Sequence, residues 1–188
     1  MPNRKWLSTA LLLLIGCPLL AEPPPAEDSL HRELTSSERS IDGRFTNVSA
    51  MTGSKPILLT GVTRGGYLRG FGAVFTLQVS LVPMANLGPF LRLTEEDKTR
   101  LNLSKRQRVE DLVIRARTAL VEEGARLTQV PVNEQVALII SLLHYSWEDV
   151  TGLPSQLVMQ ARRQVLIDRQ AGRIDLPTLK GNLEVTYF

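Results

Sequence analysis

Between Ala73 and Leu81 the chain alternates, with Phe75, Leu77, Val79 and Leu81 separated by Thr76, Gln78 and Ser80. Successive side chains of a strand point to opposite faces, so this pattern predicts a strand with one buried and one wet face, in a half-exposed sheet with an antiparallel neighbour. Ile57-Leu58-Leu59 ahead of Gly61 predicts another strand, and the alternation from Leu183 to Phe188 predicts a last one. Val136 to Leu143 is apolar on both sides, short, and preceded by the turn signal Val130-Pro131-Val132-Asn133. That combination reads as a central strand, with a buried helix as the competing reading.

Helical spacing appears elsewhere. Val109, Leu112, Val113, Ala116, Leu120 and Leu127 follow a Ser104-x-x-Gln107 capping box, predicting a helix from Ser104 to about Leu127. Asp111 with Arg115 and Glu122 with Arg126 are placed for helical ion pairs on its solvated face. Thr94 followed by Glu95, Glu96 and Asp97 predicts a short helix to about Leu101. Pro154 can occupy a first helical turn and Gly172 a stop, which predicts a helix to about Ala171 with Leu157, Val158, Ala161 and Val165 inward. In the polar stretch from Asp28 to Ser54, Leu30, Leu34, Ile41 and Phe45 form one narrow apolar stripe. It reads as a helix lying on the domain or as a mobile leader. The order helix, strand, strand, helix, helix, strand, helix, strand predicts an α+β fold. About four strands form a mainly antiparallel sheet, with the two longer helices packed on one face.

The first segment reads as an address. Arg4 and Lys5 precede an uncharged apolar run from Trp6 to about Leu20, the layout of a signal peptide over residues 1–21. The run is shorter than the roughly 20 residues that span a bilayer, and the Glu22-Pro23-Pro24-Pro25 that follows cannot continue a helix. Two processing sites overlap. Cleavage after Ala21, with Leu19 and Ala21 before the cut, releases a soluble exported chain. Leu14-Ile15-Gly16-Cys17 instead resembles a bacterial lipobox, in which Cys17 becomes the lipidated first residue and the Pro-rich stretch after it a semi-rigid tether. The expected organisation is a signal peptide at 1–21, a polar leader at 22–54 and a single α+β domain at 55–188. The expected location is the periplasm or exterior, or the cell envelope through a lipid anchor, with no transmembrane helix in the mature chain.

Composition narrows the chemistry. The chain has 188 residues, 43% hydrophobic and 22% charged, which suits one ordinary domain. Its single Cys excludes an internal disulfide and a four-thiolate metal site. Removing Arg4 and Lys5 with the signal brings the 22 basic residues to within one of the 19 acidic ones, so the sequence pI of about 9.3 carries no case for nucleic acid. No cofactor is implied.

Two stretches are candidates for chemistry. Thr63 to Gly72 holds Gly65, Gly66, Gly70 and Gly72 with Arg64 and Arg69 between them. It reads as a hairpin or bulge, and exposed amides with two guanidinium groups offer an anion or partner site at Arg64, Gly66, Tyr67 and Arg69. It is neither a P-loop nor a dinucleotide fingerprint, because no Gly-Lys-Ser/Thr follows and a strand rather than a helix comes next. The second is His144 with Glu148 and Asp149, where the central strand gives way to a loop. A carboxylate near a His can orient it or share a metal. His31 is the only other histidine, a poor zinc set, and a buried His with a hydrogen-bonded partner is the plainer reading. Tyr145 and Trp147 read as packing residues. No G-x-S-x-G elbow surrounds any Ser, and Ser146, His144 and Asp149 lie too close in sequence to converge as a triad. The leading functional expectation is a non-catalytic envelope or periplasmic domain binding an envelope protein or small ligand. The alternative is an exported hydrolase or metal-dependent enzyme using His144, Glu148 and Asp149.

Overall fold

Each alternating or apolar run finds a place in one mixed sheet. The structure, a computed structural model, describes residues 27–46, 57–81, 94–146 and 148–188. Residues 1–21, expected to be a signal peptide with a lipobox-like stretch at Cys17, lie outside the described residues, as do residues 22–26 and 47–54 of the expected leader, the Pro83–Pro89 break and Trp147. The described elements are α1 (Glu27–Thr46), β1 (Leu58–Leu59), β2 (Arg64–Leu68), β3 (Gly72–Ser80), α2 (Glu95–Arg126), β4 (Gln135–Leu142), β5 (Gln156–Arg162), α3 (Arg163–Gln170), α4 (Leu176–Asn182) and β6 (Glu184–Tyr187).

The fold is α+β, as expected, but its sheet has six strands rather than four. The order is β1-β3-β4-β5-β6, with β2 also paired to β3. β3 and β4 run parallel, and α2 lies in the connection that such a pair requires; the other pairings are antiparallel. The apolar run at Val136 is the central strand, between β3 and β5.

The added strands come from two places. The Gly-rich stretch is itself the hairpin β2–β3. The segment 156–162, expected to be helical, is strand β5, and the helix begins only at Arg163. The inward residues there are Leu157, Met159 and Ala161, a period of two rather than 3.6. Leu, Met, Gln, Ala and Arg favour helix in isolation. Here backbone pairing to β4 on one side and β6 on the other overrides that preference.

The helices predicted at 94–101 and 104–127 are one helix. Its start is a capping box in which Thr94 Oγ1 accepts from Asp97 N at 3.2 Å and Asp97 Oδ2 accepts from Thr94 N at 3.3 Å. Hydrogen bonds from Thr94 hold the Asp97 carboxyl below its ordinary range. The Ser104 box is therefore no boundary. Nor is the charged side of α2 simply a solvated stripe. Lys105 and Arg108 are buried, and Arg108 donates to the Leu81 carbonyl. Burial lowers its affinity for its proton. Glu122 pairs with Arg44 of α1 rather than with Arg126, which pairs with Glu123.

The core lies on one face of the sheet. Ala73, Phe75, Leu77 and Val79, then Val136, Leu138, Ile140 and Leu142, then Leu157, Met159 and Ala161 form three adjacent inward rows. Leu112, Ala116, Ala119 and Leu120 of α2 join the same cluster, as do Leu30, Leu34, Ile41 and Phe45 of α1. The stripe in the polar stretch is thus a helix face, with Ile41 1% and Phe45 2% exposed.

α1 is fastened by carboxylates as well as by its apolar face. Glu38 Oε1 accepts from Gly65 N at 2.6 Å and Asp42 Oδ1 from Thr63 N at 2.9 Å. Glu33 accepts from Gln129 N at 3.0 Å and from the Thr128 hydroxyl. Gly65 lies on β2, which pairs only with β3, so Glu38 satisfies an amide that an edge strand would otherwise leave open. A charged acceptor of this kind stabilises by about 2 kcal/mol. We expect Glu38→Ala to lower the unfolding free energy by that amount, seen as a lower urea midpoint with an unchanged slope, and to speed amide exchange at Gly65. Unaltered exchange there would show that α1 does not hold this edge.

Candidate functional site

The face of the sheet opposite the core carries no helix among the described residues. Cross-strand register lines its side chains up in rungs. Arg64, Thr76, Ile139, Val158 and Thr186 form one rung across five strands. Gly66, Val74, Ala137, Gln160 and Glu184 form the next, and Gln78, Ser141 and Gln156 begin a third. Thr76 and Gln78 are exposed, Ile139, Ser141 and Val158 are half-buried, and Ala137 and Ser80 on the same face are buried. The wet face expected at Thr76 and Gln78 is exposed on β2, β3 and at Glu184, and is partly or fully covered in the middle of the sheet, where Ala137 is buried. Its middle is uncharged, with Arg64 at one edge and Glu184 at the other.

The four residues proposed on the Gly-rich stretch separate. Arg64 and Gly66 stand on the open face, and Arg69 is exposed at the hairpin tip, where Phe71 N donates to Leu68 O at 2.9 Å and Gly70 adopts a positive φ of 81°. Tyr67 lies on the other side and packs against the core. Burial, and after it the Glu134 carboxylate, raises the Tyr67 phenol's pKa above its ordinary value. The amides of Thr63 and Gly65 already donate to Asp42 and Glu38. What the hairpin offers a partner is its two guanidinium groups.

The loop after β4 brings His144 and Glu148 together but turns both inward. His144 Nε2 lies 2.9 Å from Pro154 O, a group that only accepts, so Nε2 carries a hydrogen. Its Nδ1 is 3.4 Å from Glu148 Oε2. That same oxygen pairs with Lys105 Nζ, and the two side chains are only 5% and 3% exposed. Lys105 also lies 5.8 Å from the Tyr145 ring centroid. Asp149 stands apart from the pair. Its Oδ1 accepts from Thr151 N at 2.9 Å, and hydrogen bonds from the Thr151 side chain and backbone depress the carboxyl pKa, while its backbone carbonyl accepts from Asn102 Nδ2 at 2.7 Å. The cavity beside Glu148 and Lys105 measures about 10 Å³, room for about one water molecule. No three of His, Cys, Asp and Glu gather as metal donors among the described residues. Lys105 could not be found from the local motif, because it comes from a helix 43 residues away.

No helix among the described residues is long and apolar enough to cross a membrane. No family model, curated protein or solved structure matches the chain.

Proposed function

We propose that this chain is an exported, non-catalytic binding domain of the periplasm or cell envelope, and that it docks a protein partner on the open face of its sheet. The observation that carries the reading is the five-strand rung Arg64-Thr76-Ile139-Val158-Thr186, which no helix among the described residues covers, backed by the core on the other face. An uncharged platform of hydroxyl, amide and aliphatic side chains suits a protein surface rather than a polyanion. Arg64 and Glu184 at opposite edges would orient that partner by charge. Export rests on Arg4, Lys5 and the apolar run after them. The enzyme reading draws little support, since His144 and Glu148 turn inward onto Pro154 and Lys105, and only Asp149 of the three lines the adjoining groove of about 400 Å³.

The test is photo-crosslinking in the native envelope. A photoreactive residue at Thr76 or Val158 should give one discrete adduct, lost when Ile139→Glu is added, whereas the exposed Ile114 on α2 should give none. Equal adducts at all three positions would overturn the docking surface. The intact mass of the native protein should show a chain starting at lipid-modified Cys17 or at unmodified Glu22. A chain retaining Met1 in the cytosol would overturn export.

A further inference from the structure

On the helical side, away from the open sheet face, a groove of about 420 Å³ runs between α2 and the α3–α4 corner. Its volume falls in the range of sites that hold small molecules. Arg117, Val121 and Glu122 of α2 line it, facing Arg169 of α3 and Leu176 and Leu179 of α4. Val121 and Leu179 are buried and Leu176 is 41% exposed, so the groove has an apolar floor and lip.

Its charges do not cancel locally. Glu122 is already paired with Arg44 of α1. The acids close to the corner are also engaged: Asp168 pairs with Arg173 at 2.6 Å, and Asp175 caps α4 by accepting from Thr178 N at 2.8 Å. Neither arginine of the groove makes a close ion pair with a described carboxylate, although the charge of Arg169 helps to lower the pKa of Asp175. Arg169 donates through Nη1 to Ile174 O at 3.2 Å, which fixes its guanidinium and leaves other donors free. Arg117 makes no hydrogen bond or ion pair to any described residue, and its Nε is buried without a partner. Two guanidinium groups lining one groove without close ion pairs suit an oxyanion, which arginine's forked terminal donors bind well.

We infer that this groove is a binding site for a small amphipathic anion, a carboxylate or phosphate borne on a short apolar group. Arg117 and Arg169 take the oxyanion, and Val121, Leu176 and Leu179 take the apolar part. The site is independent of the sheet face and stands or falls separately from it.

The experiment is an NMR titration of the full chain with phenyl phosphate and with phenylacetate, using inorganic phosphate and benzyl alcohol as anion-only and apolar-only arms. At least one of the two amphipathic anions should saturate below about 10 mM, shifting the Val121 and Leu179 methyls, with each single-feature arm about ten-fold weaker or more. The tighter of the two names the head group. Arg117→Gln should weaken binding about ten-fold while leaving the thermal midpoint unchanged, and adding Arg169→Gln should abolish it. Absence of saturation by both anions, equal binding of benzyl alcohol, or unchanged affinity in Arg117→Gln would overturn the site. So would a lowered midpoint for Arg117→Gln, which would make that guanidinium a structural group.

Discussion

Gly72→Ala is expected to destabilise the protein severely. Gly72 begins β3 with a φ of 128°, and a Cβ built there would lie 1.9 Å from the Gln135 carbonyl oxygen, with Gln135 N and C at 2.9 Å. The obstacle is backbone, so no rotamer change relieves it. The two chains cannot separate cheaply either, since Gln135 N donates to Phe71 O at 2.7 Å and the register from Gly72↔Gln135 onward sets the parallel pairing of β3 with β4. A positive φ without glycine adds strain to the overlap. Together these exceed about 4 kcal/mol, a large share of the 5–15 kcal/mol by which domains are stable. Gly66→Ala is the matched control: it is in the same hairpin, has no positive φ and finds open space. It should fall within about 1 kcal/mol of the parent protein. Circular dichroism melts of the two variants make the comparison. A parent-like melt for Gly72→Ala would mean that β3 and β4 do not meet at this register.

How much of this was legible beforehand depended on whether a residue's partner was nearby in sequence. The alternation at Phe75–Leu81 and the apolar run at Val136 carry their own periodicity, and both became strands in the expected roles. The Leu30–Phe45 stripe also named its buried face correctly, though only the structure reveals what it packs against. The segment 156–162 went wrong because its residues suit a helix, and its neighbours β4 and β6 lie outside any local window. Missing β5 concealed Val158 and Gln160, and with them the continuity of the open face. The Gly-rich stretch, which reads as a hairpin or bulge, is a hairpin. The acceptors that claim its amides, Glu38 and Asp42, lie 27 and 21 residues upstream of their donors and gave no local sign of it.

The second large effect concerns Lys105 and Glu148, and it separates a structural role from a chemical one. Both side chains are nearly inaccessible, and each is the other's opposite charge. Glu148→Leu leaves a buried ammonium and Lys105→Met a buried carboxylate, so each single change should destabilise by about 3–5 kcal/mol. The double variant Lys105→Met/Glu148→Leu removes both charges and keeps the apolar volume. It should return to within about 1 kcal/mol of the parent, since replacing a whole buried pair by hydrophobic residues is often neutral. Urea unfolding of the four proteins gives the coupling energy directly. Simple additivity of the two losses would show that the pair does not exist in solution. The consequence reaches the docking face. The pair ties the loop after β4 onto α2, helped by Asn102 and Arg106, which donate to the carbonyls of Asp149 and Thr151. That loop leads into β5, the strand that places Val158 and Gln160 on the open face. The single variants should therefore lose the crosslink from Val158 along with stability, and the double variant should recover both. An adduct that stays lost in a refolded double variant would assign Glu148 or Lys105 a direct part in function.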